Sequence, residues 1–383
     1  AISMKKDAEG FLYPSINQEL CTDCGLCREI CPFHEFDHKA ENLKHPAVFA
    51  AKHNDWRIRT QSSSGGAFTA ISDSVLSQSG IVCGAVLDNS LTVTHKMAKT
   101  QEQRDAMRGS KYVQSGLGEI FKGIEENINK GRLVLFSGTP CQVAGLYAYL
   151  GVTSHPKLIT MDLVCLGTPS HLLFHEFIAY NEKKRSKSVG SFVWRSKVKG
   201  GHMHTEEILF KDGHRDYQSF LSQMNRRAFH SHLTIRPSCY NCHFAKSERV
   251  ADITLADYWG IEKFIPEFCD GEGISLVLVN SAKGEALLQK SEKFLELRES
   301  NLEDCRQRNS HLNKPTPYPP GREKFWEDYF SCGYEYVLKK YFGYTLFGRL
   351  KNSLLLPVLR KTGLLAPLRS LKARMRAHNK VKR

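Results

Sequence analysis

Residues 132–137, RLVLFS, run into Gly138-Thr-Pro-Cys-Gln-Val-Ala-Gly145, and residues 158–165, LITMDLVC, run into Leu166-Gly-Thr-Pro-Ser170. Each opening run is short, rich in Leu or β-branched residues and bounded by turn formers, which is how a buried strand reads. Outward from this pair, residues 80–87 (GIVCGAVL) and 274–280 (ISLVLVN) have the same texture. Helical patterns fill the intervals at 65–79, 117–129, 170–184 and 283–297, and such alternation predicts a mixed or parallel sheet covered by helices, an α/β fold. Residues 191–195 and 205–210 read as a hairpin closed near Lys199-Gly200-Gly201. A polar connector from His38 to about Gln61 joins this body to a small cysteine-rich unit over 1–40.

That unit contains Cys21-Thr-Asp-Cys24-Gly-Leu-Cys27-Arg-Glu-Ile-Cys31-Pro32. A cubane iron–sulfur cluster needs four converging thiolates, and C-x2-C-x2-C followed by a Cys-Pro supplies them in the bacterial ferredoxin pattern. Asp23, Gly25 and Leu26 suit a tight loop whose amides face the sulfurs. Structural zinc is the competing reading, but zinc favours two separated C-x-x-C pairs. In two-cluster ferredoxins the fourth Cys of one run ligates the other cluster. The stretch before Cys21 is similar to the linker that follows a first run, so an upstream cluster motif is expected to be missing from this chain. In that case Cys31 would serve the absent cluster; otherwise all four cysteines hold one cluster. Both possibilities stay open in the sequence.

Twelve cysteines in 383 residues are too unevenly spaced for a small disulfide scaffold, and thiolate clusters fit a reducing compartment such as the cytosol. No run approaches the ~20 apolar residues of a membrane span, and no signal-peptide pattern is present. The net charge is +14, and thirteen basic residues with no acidic one lie between Lys339 and Arg383. The body is therefore close to neutral, which argues against nucleic-acid binding by a basic groove.

Four further cysteines have revealing contexts. Cys141 follows one strand, Cys165 ends another, and Cys239 and Cys242 form Arg236-Pro-Ser-Cys-Tyr-Asn-Cys-His243. Cysteines at the carboxyl ends of neighbouring strands, with a C-x-x-C loop, can converge where α/β sheets gather ligands. Taken singly, Cys141 or Cys165 reads as a small buried hydrophobe, and the C-x-x-C as a zinc half-site or redox dithiol. Together they favour a second 4Fe–4S cluster over zinc. Cys83, Cys269, Cys305 and Cys332 lack partners at ligand spacing and read as packing or surface thiols.

Gln61-Ser-Ser-Ser-Gly-Gly66, Arg108-Gly-Ser-Lys-Tyr-Val-Gln-Ser115, the Gly-Thr-Pro-Cys-Gln stretch, Asp162-Leu-Val-Cys-Leu-Gly-Thr-Pro-Ser170 and Asp252-Ile-Thr-Leu-Ala-Asp-Tyr-Trp-Gly260 together resemble the coenzyme F-420 hydrogenase/dehydrogenase beta-subunit family. The resemblance spans roughly residues 1–300. It implies an α/β domain holding FAD beside a 4Fe–4S cluster, with a ferredoxin module in front. On this resemblance Ser62, Ser63, Ser64, Gly65 and Gly66 would meet the flavin pyrophosphate at a helix N-terminus, although serine is also a common helix cap. Lys111 and Tyr112 would meet the flavin phosphate or ring; a solvated lysine beside a packed tyrosine is the plainer alternative. Gly138 and Thr139 would touch the cofactor as well as support Cys141. Asp257-Tyr-Trp-Gly260 is either a cofactor contact or core packing with a capping Asp.

The expected organisation is a ferredoxin-like 4Fe–4S module over 1–40, a flavin and iron–sulfur domain over 41–300, and an extension over 301–383 with a basic amphipathic tail. The tail places Leu346, Leu350, Leu354, Leu359, Leu364, Leu368 and Leu371 among basic residues, interrupted by Pro357 and Pro367. It could lie on an anionic membrane surface or dock on the body or a partner. The expected function is transfer of electrons from a ferredoxin or redox partner subunit through two clusters to FAD and on to an unidentified acceptor. A non-catalytic electron-wiring subunit and a zinc-stabilised scaffold are the alternatives. No G-x-G-x-x-G supports a nicotinamide site. His171, His175, His202, His204 and His243 are candidate acids or bases without a sequence signal to separate them.

Overall fold

The computed structural model describes residues 1–33, 42–43, 45–202 and 204–351. Among these residues thirteen strands form three sheets. β1 (Ile2–Lys6) and β2 (Leu12–Ile16) make an antiparallel hairpin at the start. β3 (Ala47–His53), β4 (Ile81–Leu87), β5 (Val93–Ala98), β6 (Val134–Ser137) and β7 (Leu158–Leu163) belong to the central sheet. β8 (Val189–Ser196), β9 (Thr205–Phe210) and β10 (Arg215–Asp216) form a three-stranded antiparallel sheet. β11 (Ile253–Asp257), β12 (Ser275–Val279) and β13 (Leu295–Ser300) complete the central sheet, whose order is β13-β3-β12-β11-β7-β6-β4-β5.

Four adjacent strands, β4, β6, β7 and β11, run parallel. Antiparallel neighbours close the sheet on either side. Helices Ala67–Leu76, Ile120–Asn129, Pro140–Leu150 and Ala282–Ser291 cover it, as a sheet with parallel strands requires. In Ile120–Asn129, Ile120, Ile124 and Ile128 recur at four-residue spacing and are buried, packing with Phe136 and Val143. The α/β architecture read from the sequence is thus the observed one.

Two stretches depart from that reading. The supposed connector contains β3, which lies between β12 and β13. Its sequence, AVFAAKH, has one β-branched residue; its strand state comes from pairing on both sides and from burial of Val48, Ala50 and Ala51, a tertiary effect that propensity does not carry. The helix expected over 283–297 ends at Ser291, and Leu295–Ser300 is an edge strand. Its polar sequence, LELRES, fits an edge with one face in water. β5 and β11 are also strands that the short-run pattern passed over.

The three-stranded sheet packs on helix His171–Arg185 and on helices Arg322–Cys332 and Tyr334–Phe342. Phe174, Phe177, Phe192, Trp194, Phe325, Val337 and Leu338 are buried together there. Residues 322–342 are therefore part of the body's core. The tail residues from Leu354 onward lie outside the described residues; before them, Leu346, Phe347 and Leu350 are exposed. Among the described residues no helix is long and apolar enough to cross a membrane. Cys83 and Cys305 are buried, Cys269 is half-buried and Cys332 is exposed, the packing and surface positions expected of them.

Candidate functional site

Because β6, β7 and β11 are neighbours and parallel, their carboxyl ends open on one edge of the sheet. Just past β6, Thr139 starts the helix Pro140–Leu150. Its hydroxyl and the side chain of Gln142 form a capping box, and Pro140 occupies the first helical turn. This sets Cys141 at the helix start, with Thr139 Oγ1 3.2 Å from its sulfur. Gly138 donates its N–H to the Met161 carbonyl at 3.1 Å, which ties the loop to β7.

Cys165 stands two residues past β7. Beside it Gly167 has φ +132°, and a Cβ there would lie 2.6 Å from Ile235 and 3.2 Å from the Cβ of Cys239. Glycine is what lets the Cys165 loop approach the C-x-x-C loop. The Arg236 N–H donates to the Thr168 carbonyl at 2.9 Å and joins the same two loops. Arg249 fixes the far side. Its guanidinium donates to Asp162 Oδ2 (2.9 Å) and to the carbonyls of Leu163 (3.0 Å), Phe244 (3.0 Å) and Lys246 (3.1 Å). Strand end and cysteine loop are thus held by one buried cation.

The four body cysteines come within electrostatic reach of one another. Burial, reinforced by the neighbouring sulfurs, pushes the Cys141 and Cys165 thiols up, and it pushes Cys239 up to about 11. Such thiols are neutral until a cation displaces their protons. Among the described residues no group of three or more His, Cys, Asp or Glu converges as ligands of one metal ion do. A cubane presents its irons at separate corners, so its thiolates need only ring a cavity.

In the N-terminal unit, Asp23 and Gly25 adopt left-handed backbone (φ 53° and 74°) and curl the chain into the one-turn helix Leu26–Glu29. Cys21 and Cys31 are half-buried; Cys24 and Cys27 are exposed. The unit is anchored to the body. Arg236 donates to the Leu12 carbonyl at 2.9 Å and lies 4.1 Å over the Tyr13 ring. Arg322 pairs with the Glu9 carboxylate, and Ser170 Oγ donates to the Glu9 carbonyl at 2.5 Å. Phe33, two residues past Cys31, meets Phe244 and His243, the residues following Cys242, at ring centroid distances of 5.8 and 6.4 Å.

Beyond the cysteines the same edge carries a cluster of aromatic, histidine and charged side chains. Burial is the largest influence on the pKa of Lys111, Tyr112, Cys141, Cys165 and Asp257, and each keeps some solvent-accessible surface. Tyr112 stacks on Phe229 at 4.6 Å and faces His204 at 6.4 Å. His204 neighbours Trp259 (5.6 Å), which stacks on His202 (4.5 Å, 21°). Arg195 pairs with Asp257, and its guanidinium lies 5.5 Å over Trp259. Burial tends to raise the Asp257 pKa, but the His202 hydrogen bond and the Arg195 charge outweigh it and hold the carboxyl at about 2.

The serine–glycine loop and Lys111 are engaged within the chain. Ser62 Oγ donates to Ile58 O (2.7 Å), Ser63 Oγ accepts from Ser110 N (2.9 Å) and Ser64 Oγ donates to Ile274 O (2.8 Å). A Cβ on Gly65 would collide with Ala51 O at 2.3 Å, and Gly66 has φ +91°. Several of its amides are engaged too: Gly65 and Ala67 donate to Ser275 Oγ at 3.0 and 3.5 Å and Ser62 to Arg59 O at 3.1 Å, so an anion here would meet the amides of Ser63, Ser64 and Gly66. Lys111 Nζ donates to Ala106, Met107 and Arg108 carbonyls at 3.2, 2.8 and 3.0 Å, and burial lowers it to about 7. Of the histidines, His171 and His175 meet at a tilt of 58° with centroids 4.5 Å apart, within electrostatic reach of Lys6, while His202 and His204 belong to the aromatic cluster around Trp259. Arg195, Arg236, Arg249, Phe33 and Phe244 had no sequence signal beyond standing near motif residues.

Compared with known proteins, residues 131–304 match the family model for the C terminus of the coenzyme F420 hydrogenase/dehydrogenase beta subunit. Residues 14–34 match a 4Fe-4S binding domain. A chain of the F420-reducing NiFe hydrogenase complex from Methanosarcina barkeri, solved in a xenon derivatization study, is similar at 19% identity and a TM-score of 0.49, over 75% of this chain and 94% of that one. No curated protein matches.

Proposed function

We propose that this chain, which belongs to the coenzyme F420 hydrogenase/dehydrogenase beta-subunit family through residues 131–304 and carries a 4Fe-4S binding domain at 14–34, is an iron–sulfur flavoprotein that moves electrons between a redox partner and an organic acceptor. Cys21, Cys24, Cys27 and Cys31 hold one 4Fe–4S cluster, and Cys141, Cys165, Cys239 and Cys242 hold a second. A ferredoxin or a partner subunit delivers electrons to the exposed Cys24–Cys27 side of the first.

The observation that carries this reading is the contact of Phe33 with His243 and Phe244. It links the last cysteine of one set to the last of the other, giving electrons a short, packed route into the body. Both sets offer only soft sulfur donors, the ligands iron–sulfur clusters take.

FAD suits the aromatic cluster around Trp259: Tyr112, Trp259 and His204 offer flat faces and Arg195 a cation, while the 62–66 loop offers the amides of Ser63, Ser64 and Gly66. Gly138 and Thr139 support Cys141, with Thr139 Oγ1 3.2 Å from its sulfur, and complete the flavin's surroundings in this reading. When bound, flavin turns one-electron traffic into two-electron chemistry. The chain's own residues seat the ring against the aromatic wall, shield it from bulk water and keep Cys141 and Cys165 adjacent. The exposed Leu346, Phe347 and Leu350, with the basic residues that follow, bring the protein to an anionic membrane surface on the cytoplasmic side.

Anaerobic purification with iron, sulfide and flavin quantified per chain tests the proposal. About eight irons, two cubanes of four, and one flavin are expected. Zinc in place of iron, or clusters without flavin, would overturn it.

A further inference from the structure

In the aromatic cluster around Trp259 one ring nitrogen has two competing partners. His202 Nε2 lies 2.7 Å from Asp257 Oδ1 and 2.6 Å from Arg195 Nη2. A nitrogen bearing a proton donates to the carboxylate, whereas a bare nitrogen accepts from the guanidinium, so the two bonds exclude each other. Arg195 Nη1 also closes on the second Asp257 oxygen, which keeps that carboxylate in place as an acceptor. Nδ1 makes no hydrogen bond among the described residues.

The ring is held in a made-to-fit position. Trp259 stacks on it at 4.5 Å, the His202 N–H donates to Gly271 O at 2.8 Å, and a Cβ on Gly273 would lie 2.8 Å from its Cδ2. The other charged or titratable groups around it are His204, kept neutral by burial with a pKa lowered to about 3, and Lys197, Glu272 and Tyr112. Lys197 Nζ is bound to the carbonyls of Arg59, Ser64 and Glu272, Glu272 accepts from the Gly201 N–H, and Tyr112 interacts with Arg195. Ser64 in turn is bonded to Ile274, which places the histidine beside the serine–glycine loop.

We infer that His202 supplies the proton of the two-electron step from Nδ1, with Asp257 as the positioning residue that accepts its Nε2–H and Arg195 as the residue that holds Asp257 in place. The inference rests on the redox reading above. When a conjugated carbonyl or imine acceptor gains a hydride equivalent, its far heteroatom becomes anionic. The Nδ1–H bond of the doubly protonated ring breaks, an O–H or N–H bond forms on the acceptor, and the ring is left neutral with its proton on Nε2, to be recharged from water. Asp257 plays toward His202 the orienting part that a buried carboxylate plays toward a catalytic histidine.

Long-range ¹H–¹⁵N spectra of the whole chain with ¹⁵N-labelled histidine test the arrangement itself. The neutral His202 ring is expected as the Nε2–H tautomer in the native protein and as the Nδ1–H tautomer in Asp257→Asn, where Arg195 is left as the one charged partner. Should Asp257→Asn fail to fold, Asp257→Glu must keep the Nε2–H form. The same tautomer in native protein and Asp257→Asn, or a native ring protonated on Nδ1, would overturn the inference even if clusters and flavin are present. Conversely, absent flavin with the expected tautomers would contradict the redox reading alone. With dithionite-reduced protein, His202→Gln is expected to slow reduction of menadione about 100-fold, the low end for loss of a general acid, while ferricyanide, which takes no proton, is reduced at the native rate. Equal slowing of both acceptors would also overturn it.

Discussion

Phe33 meets Phe244 edge to face, with ring centroids 5.8 Å apart and planes inclined at 79°. This one contact joins a loop two residues beyond Cys31 to a loop two residues beyond Cys242. It also fixes the orientation of the N-terminal unit, together with the Arg236–Leu12 and Arg322–Glu9 bonds. An edge-to-face aromatic pair contributes about 0.5–1.5 kcal/mol beyond area burial.

Phe33→Ala is therefore expected to lower stability by about 1 kcal/mol and to leave the iron content unchanged. Electron transfer from an external donor into the body centre should slow. Stopped-flow reduction at separate cluster and flavin wavelengths reads the internal step directly.

Cys141→Ser and Cys239→Ser should each remove the body cluster and about four irons per chain, with the N-terminal cluster retained. Cys305→Ser, which alters a buried thiol away from both sets, should cost stability and leave iron unchanged. Iron analysis on the three variants checks the assignment.

Arg249 is buried with Asp162, whose pKa burial raises and the guanidinium lowers. Arg249→Met leaves Asp162 without its cation and frees four bonds between the end of β7 and the cysteine loop. A loss of about 3–5 kcal/mol is expected, as when a buried pair loses one member. Chemical denaturation measures the loss, and reduced cluster occupancy at Cys165 and Cys242 should accompany it.

His95, His171 and His204 are pushed by burial to about 4, 4 and 3, below the ordinary 6.5. The unfolded chain binds protons at these sites before the fold does, so stability rises with pH across this range. Their contribution is complete above about pH 6.5 and is lost as pH falls toward 4 and 3. Melting temperature should drop across that window, and His95→Gln with His204→Gln should flatten the drop.

If the tail meets anionic membranes, the protein should sediment with vesicles rich in phosphatidylserine and leave them as salt rises. Each basic residue near the surface contributes about 1 kcal/mol. Replacing Leu346, Phe347 and Leu350 together by Ser should weaken binding without changing the melting temperature, since all three are exposed.

The central strands were legible because Ile81–Leu87, Leu158–Leu163 and Ser275–Val279 are predominantly apolar runs, largely buried. The approach of Cys141 and Cys165 follows from the ends of β6 and β7, since neighbouring parallel strands deliver their loops to one edge. β3 was hidden because Ala50 and Ala51 become strand residues only through partners more than 200 positions away. Arg195, Arg249 and Phe33 were illegible for the same reason. Their roles come from pairings with Asp257, Asp162 and Phe244, and nothing local marks a lone arginine or phenylalanine for such a partner. On the resemblance the serine loop would meet a flavin pyrophosphate through hydroxyls and amides, whereas its hydroxyls are bonded within the protein.

The account stands on two cubanes close enough to exchange electrons across Phe33 and Phe244. Electron paramagnetic resonance of the anaerobically reduced chain measures that most directly. Two cluster signals broadened by mutual spin coupling, collapsing to one unbroadened signal in Cys141→Ser, are predicted. Two signals that are magnetically independent, or a single signal unaltered by Cys141→Ser, would contradict it.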